Sequence, residues 1–306
     1  MLRPPPALAH RAGHAWEQVV LPARAARLRS PLLLCPANLA PAVSRRTVLV
    51  LHDAAALRHP GWYAPAYVAW QRRLLPVLVA RARRIVTVSA FSRDELVTLL
   101  GADPAHVSVV SGGVDGRFTP AVDPEPARRA HGLRRPYALC VASHTARKNL
   151  AALVPVARAL GAEGIDVAVA GGHRPQFAAE AGLDALRLLG HVDDALLPGL
   201  YAGAEAFVLP SLYEGFGLPV LEAMAAGTPV LTTTAGALPE TCAGAARLVD
   251  DPATIAGALT ALLGDPAERA RLRAAGLARA STLTWDRTAR AIDTLLQDEA
   301  ASTAAG

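Results

Sequence analysis

The 306-residue chain has one lysine, two asparagines and three cysteines, and aromatic side chains make up only 5% of it. Cys35, Cys140 and Cys242 are too few and too scattered for a disulfide framework or a CxxC metal site, so a reducing, cytoplasmic setting is expected. No run reaches the ~18 uncharged apolar residues of a membrane span. The longest candidates, residues 31–43 and 47–51, are broken by prolines or end in His52-Asp53. The opening MLRPPPALAHRAG carries no apolar segment of secretory type, and no signal peptide is expected. No internal repeat or heptad is sustained, which removes collagen-like, coiled-coil and low-complexity readings.

What is present is apolar and basic. At 52% hydrophobic and 19% charged, the chain has ample material for two cores. Lysine is replaced almost throughout by arginine, which makes the single Lys148 conspicuous. Charge divides unevenly: residues 1–135 hold 19 basic and 8 acidic side chains, net +11, whereas residues 136–306 hold 12 and 18, net −6. A basic half suits an anionic partner such as a membrane surface or a phosphorylated acceptor, with a solvated arginine-rich face as the plain alternative. Arg72, Arg73, Arg81, Arg83 and Arg84, on or near one long helix, are the candidates for peripheral attachment. Nucleic acid is not expected, because no aromatic-basic interleaving or finger spacing occurs.

Short apolar runs alternate with amphipathic stretches. Residues 32–35, 47–51, 85–88, 107–110, 137–141, 166–170, 206–209, 229–232 and 246–249 read as buried parallel strands. Residues 15–28, 65–84, 92–100, 150–160, 194–202 and 255–263 read as helices between them. Such alternation predicts an α/β architecture of parallel sheets wrapped by helices, here two Rossmann-like domains with a ligand cleft. The proline- and charge-rich stretch 119–136 reads as the linker, giving domains at 1–125 and 126–283. A last helical pattern, 284–297 within 284–306, is expected to pack back on the first domain before a frayed tail.

The most informative segment is AEAFVLPSLYEGFGLPVLEAMAAGTPVLTTT, residues 204–234. A strand ends near Pro210, a loop carries residues 211–217, and a helix follows over 218–226. Pro219 stands at its start, Gly227 at its C′ position and Pro229 beyond. The helix N-terminus then points out of the carboxyl end of a parallel sheet, where open α/β folds bind ligands. Its amide groups, with Gly215 and Gly217 allowing close approach, suit a phosphate. Glu214 precedes the helix and Glu222 lies one turn inside, so two carboxylates flank one anion pocket. A glycosidase pair, solvated cap charges and acceptors for sugar and ribose hydroxyls on either side of a diphosphate compete here. The last fits best.

The string EGFGLPVLE, Glu214–Glu222, resembles the E-x7-E signature of retaining GT-B glycosyltransferases, the large family 4 that uses nucleotide sugars. VASHTARKNL (141–150), AVAGG (168–172), LLGHVDD (188–194), AGTPVLTT (226–233) and LPE (238–240) follow that family's order. LVLHD (49–53), VTVSAFSRDEL (86–96) and VVSGGVDGRF (109–118) do so in the first half. The resemblance spans nearly the whole chain and implies a hexosyltransferase. By it, Arg147 and Lys148 neutralise the donor diphosphate, Glu222 binds the ribose, and Glu214 holds the donor sugar. The main chain of Gly215, Phe216, Gly217 and Leu218 surrounds the β-phosphate, and Val192 lies against the base. His52, directly after a strand, stands near sugar and acceptor, with Asp53 fixing its turn.

The resemblance further implies front-face transfer with retention and no metal or other cofactor, since no DxD is suitably placed. The HD, SAFSRDEL and RKN variants favour GDP-mannose as donor and a glycan or lipid-linked saccharide as acceptor. Peripheral attachment to the inner face of the plasma membrane goes with that assignment. Two departures stand out. The pattern starts late, at residues 13–22, so the first domain is expected to lack the family's usual N-terminal strand and Gly-rich loop. Ser111-Gly112 also stands where the family often has Pro-Asn. A catalytically impaired sugar-nucleotide-binding subunit is therefore the alternative. A nicotinamide oxidoreductase would need GxGxxG after a first strand, and EGFGLP supplies only two of those glycines. A GT-B-type epimerase would need an acid/base constellation that the sequence does not display.

Overall fold

The computed structural model describes residues 13–172 and 182–304. They form two compact units: one runs through Arg58, then Pro65–Ser111 and onward from Thr288; the other comprises His59–Ala64 and Gly112–Arg287.

In the first unit, β1 (Leu33–Cys35), β2 (Thr47–Val50), β3 (Arg84–Thr87) and β4 (Val107–Val109) form a parallel sheet in that order. Helices Pro65–Arg81 and Ala90–Leu100 connect its later strands. The second starts where the Ser89 hydroxyl accepts from the Ser92 amide and stops at Gly101, whose φ of 65° closes the C-terminus. Leu49, Leu51, Leu75, Leu78, Ile85 and Leu96 are buried between sheet and helices. Each such side chain contributes roughly 1.5–3 kcal/mol by leaving water. The helical stretch expected over 15–28 runs from Gly13 to Arg27 with a wide turn at Trp16–Val20. The Gln18 side chain ties it down, donating to the Ala40 carbonyl and accepting from the Ala42 amide.

The second unit holds β5 (Tyr137–Val141), β6 (Asp166–Ala170), β7 (Arg187–Gly190), β8 (Ala206–Leu209), β9 (Val230–Thr233) and β10 (Arg247–Val249). They lie in the order β10-β9-β8-β5-β6-β7, all parallel. From β5 the chain builds outward through β6 and β7, then returns to place β8 on β5's other side. The loops leaving β5 and β8 therefore diverge, which opens a crevice at their carboxyl ends.

Residues 119–136 are not a linker: Phe118 packs edge-on against Tyr201 at 5.6 Å, and a helix at Glu125–Ala130 buries Ala127, with Leu133 behind it. The units instead part after Ser111 and again after Arg287. Strand β7 and a helix at Pro266–Ser281 add to the elements expected from the sequence. The helix buries only Leu272, Gly276 and Ala280, a stripe of mostly small residues that a hydrophobic pattern overlooks. Its start does carry a signal, since Asp265 accepts from the Glu268 amide just ahead of Pro266. Among the described residues no helix is long and apolar enough to cross a membrane.

Candidate active site

The loop leaving β5 makes a turn at Ala146–Lys148, which ends at Asn149 with φ 53°. Asn149 fixes that conformation by donating from its side chain to the Pro210 carbonyl at the end of β8. The turn sends both cations toward the β8 loop. Lys148 Nζ donates to Glu214 Oε1, and Arg147 Nη1 lies 3.2 Å from Glu214 Oε2 and 3.0 Å from the Tyr213 carbonyl. Ser211 Oγ donates to Glu214 Oε1 at 2.6 Å. Lys148 and Glu214 are both buried, at 7% and 5% exposure. Burial works to raise the Glu214 pKa, but the charges of Lys148 and Arg147 and the Lys148 and Ser211 hydrogen bonds outweigh it, and the carboxyl lies below its ordinary value. Two cations against one carboxylate leave the cluster at a formal +1.

The Leu218–Ala225 helix starts beyond Gly217, whose φ is 95°, with Pro219 in its first turn; Gly227, φ 73°, follows its end. The amides of Phe216, Gly217 and Leu218 make no hydrogen bond among the described residues. The Phe216 carbonyl accepts from Thr241 Oγ1, which holds the loop in place. A cavity of about 510 Å³ is lined by Ser143, Arg147, Lys148, Gly171, Gly172, His191 and Pro219, among others. It thus joins the cation turn, the end of β6 and the start of the helix. Gly171 has φ 128°, and a Cβ there would stand 2.2 Å from the Ala142 carbonyl oxygen, so only glycine fits.

Neither Glu214 nor Glu222 is in the lining of the 510 Å³ cavity. Glu222 Oε2 accepts from the buried Tyr201 hydroxyl at 2.8 Å. Its pKa is raised by burial, against the lowering effects of the Tyr201 hydrogen bond and Arg117; Asp194 and Asp115 add to the rise. Val192 is buried in the core of this unit. His52 belongs to the other unit, at the carboxyl end of β2, with an exposed ring. Its Nε2 lies 3.1 Å from the Pro36 carbonyl. A carbonyl only accepts, so Nε2 carries the proton, and in the neutral ring Nδ1 is an acceptor. Asp53 fixes the turn by accepting from the Ala55 amide.

Sequence reasoning missed several members. Ser211 and Tyr201 orient the two glutamates. Gly236, φ 65°, lets the β9 loop press on Glu214: a Cβ there would meet the Glu214 carbonyl oxygen at 2.3 Å. His59, from the first half of the chain, lies edge-on to Tyr213 at 5.7 Å and stacks on Trp62 at 4.1 Å. His144 Nε2 and Thr145 Oγ1 are buried without a partner among the described residues, in the loop between β5 and Arg147. Of these only His144 and Thr145 lie in the segment SHTARKN, where Arg147 and Lys148 alone were the signal. Among the described residues no three His, Cys, Asp or Glu side chains gather as a metal site, and the three buried cysteines are free.

Residues 135–265 match the profile of glycosyl transferases group 1, and residues 20–118 match that of glycosyltransferase family 4. The O-antigen chain mannosyltransferase B of Escherichia coli is 32% identical over 257 residues, 79% of this chain and 67% of that protein. Seven further curated relatives, glycogen synthases of Mycobacterium tuberculosis among them, are 32–35% identical; the chain spans only 50–61% of their lengths. Sucrose-phosphate synthase from Thermosynechococcus elongatus shares the fold at a TM-score of 0.74 and 22% identity, over 92% of this chain and 77% of that one. Anabaena HepE, solved with UDP and glucose, does so at 0.66 and 18%, over 82% and 72%. The two sheets are those of a GT-B fold, and the chain belongs to glycosyltransferase family 4, the group 1 glycosyl transferases.

Proposed function

We propose that the chain transfers a hexose, with mannose favoured, from a nucleotide-diphosphate sugar to a glycan or lipid-linked saccharide, with retention at the anomeric carbon. The observation that carries this reading is the buried Arg147–Lys148–Glu214 cluster beside the bare amides of Phe216–Leu218. A diphosphate brings more negative charge than the cluster's formal +1. The helix N-terminus supplies roughly half a further positive charge. In a site closed to water such fixed donors stabilise charge as it grows on a leaving group. His144 Nε2 and Thr145 Oγ1, orphaned in the same loop, each cost about 1–3 kcal/mol while unsatisfied, and a bound polar ligand would relieve that cost.

In this reading the donor C1–O bond breaks as the acceptor oxygen bonds to C1 on the same face, and the acceptor proton passes to the departing phosphate oxygen. Arg147 and Lys148 carry the developing charge; no enzyme carboxylate attacks. Glu214, ionised between them, holds their side chains and accepts from a sugar hydroxyl. Glu222 accepts from the ribose hydroxyls. His52 offers Nδ1 as an acceptor to the reacting sugar. The mannosyl preference rests on the likeness to the E. coli mannosyltransferase. It is tested by offering GDP-mannose, UDP-glucose, UDP-N-acetylglucosamine and ADP-glucose without added metal, and following nucleotide release with saccharide acceptors; the anomeric configuration of the product decides retention.

A further inference from the structure

The first unit has a second polar cavity, at the opposite edge of its sheet from His52. It measures about 380 Å³ and is lined by Arg45, Arg81, Arg83, Arg84, His106 and Glu299, with Ala80 and Ala82. Its position follows from the parallel sheet. Arg45 lies two residues before β2, Arg84 opens β3, and His106 immediately precedes β4. Adjacent parallel strands begin at one edge, so these side chains converge there, and Arg81, the last residue of the Pro65–Arg81 helix, joins them.

The charges do not balance. Glu299 is the only carboxylate in the lining, against four guanidinium groups, a formal +3 before His106 is counted. Arg83 Nε and Arg84 Nε each lie 2.7 Å from a Glu299 oxygen, and burial of that carboxyl is outweighed by the two arginines, which hold its pKa below the ordinary value. Ser302 takes one further Arg83 nitrogen and the Ala105 carbonyl one from Arg84. Arg81 Nη1 donates to the Ala42 carbonyl. His106 pairs with Asp103, which lies outside the lining. The carboxyl-terminal end of the Pro65–Arg81 helix adds roughly half a negative charge, too little to cancel the excess. If the only task were to fasten the last helix through Glu299, Arg83 and Arg84 would suffice. Arg45 makes no hydrogen bond or ion pair through its side chain among the described residues, yet it lines the cavity.

We propose that this cavity binds a phosphate group, a mono- or diester carried by a lipid headgroup or free in solution, with Arg45 and Arg81 closing on it beside the nitrogens of Arg83 and Arg84 that Glu299 leaves open. Guanidinium forks match phosphate oxygens in pairs, which is why four of them in one concavity select this chemistry. The site narrows the basic half of the sequence to one place. Of the five arginines on or near the long helix, Arg81, Arg83 and Arg84 belong to it, and Arg72 and Arg73 do not.

The test is binding and does not depend on glycosyl transfer. Inorganic phosphate and glycerol phosphate are titrated calorimetrically into the full chain, and co-sedimentation is measured with vesicles of phosphatidylglycerol in phosphatidylcholine against phosphatidylcholine alone. Arg45→Glu reverses a charge that makes no side-chain contact among the described residues; Arg72→Glu with Arg73→Glu, on the helix that ends at Arg81 but outside the cavity, is the control. We expect phosphate binding, anionic-vesicle binding or both, weakened about tenfold or more by Arg45→Glu, the loss of one charge-assisted contact, and little changed by the control. Binding of the small phosphates identifies a soluble ligand; binding of the vesicles alone identifies a headgroup. No binding of any of the probes, or equal loss in Arg45→Glu and the control, overturns the proposal.

Discussion

Lys148, the single lysine of the chain, lies buried with its ammonium against the carboxylate of Glu214, sixty-six residues further on. The pair joins the loops leaving β5 and β8, the two neighbouring strands at which the sheet order reverses. A contact of this kind both fastens the crevice and charges it, and the two roles can be separated by experiment.

Lys148→Ala leaves Glu214 buried with Arg147 as its remaining cation. Removing one member of a buried pair should cost about 3 kcal/mol of stability and lower turnover by about 100-fold or more, if the charge acts on the leaving group. Lys148→Arg keeps the charge and should recover most of the stability. Urea unfolding and initial rates on the same preparations read the two effects separately.

Glu214 and Glu222 should respond to pH in opposite senses. The fold favours ionised Glu214, so its contribution to stability is full above the unfolded carboxyl pKa and is lost as pH falls through the lower folded value. The fold favours protonated Glu222, so its contribution is full below the unfolded pKa and lost as pH rises through the raised folded value. Glu222→Gln should therefore raise the melting temperature at neutral pH more than in acid, while Glu214→Gln should lower it most at neutral pH. Melting curves across that range check both.

Tyr201→Phe deletes the hydroxyl that donates to Glu222 and nothing else of the ring's packing. The expected loss is about 1–2 kcal/mol, together with weaker nucleotide binding if Glu222 reaches the ribose. Nucleoside titration against the variant measures the second effect directly.

Gly236→Ala places a methyl group 2.3 Å from the Glu214 carbonyl oxygen at a φ of 65°. The backbone strain and the clash should together cost about 3 kcal/mol or more and displace Glu214. A sharp fall in both stability and donor affinity is expected, measured by unfolding and calorimetry.

Much of the site could be read from local chemistry. The helix from Leu218 announces itself through Pro219 and Gly227, and its bounds differ from expectation by one residue. Strands β5, β6 and β8 were read residue for residue because both their faces are buried. Strand β7 was not, because it is an edge strand with half-exposed residues, so no continuous apolar run marks it. The role of Tyr201 was hidden because its partner lies twenty-one residues away, a pairing that only packing creates. The same holds for Glu222, whose hydrogen bond from Tyr201 no spacing in the sequence announces.

The central claim is that the Arg147–Lys148–Glu214 cluster receives a sugar-nucleotide diphosphate. Calorimetric titration of the chain and of Lys148→Ala with GDP-mannose, UDP-glucose, UDP-N-acetylglucosamine and ADP-glucose, without metal, tests it most directly. The account predicts that one donor binds, GDP-mannose by preference, and that its affinity falls about 10- to 100-fold when the lysine is removed. Binding undiminished in a folded Lys148→Ala protein, or no binding of any of the four to the wild-type chain, would contradict it.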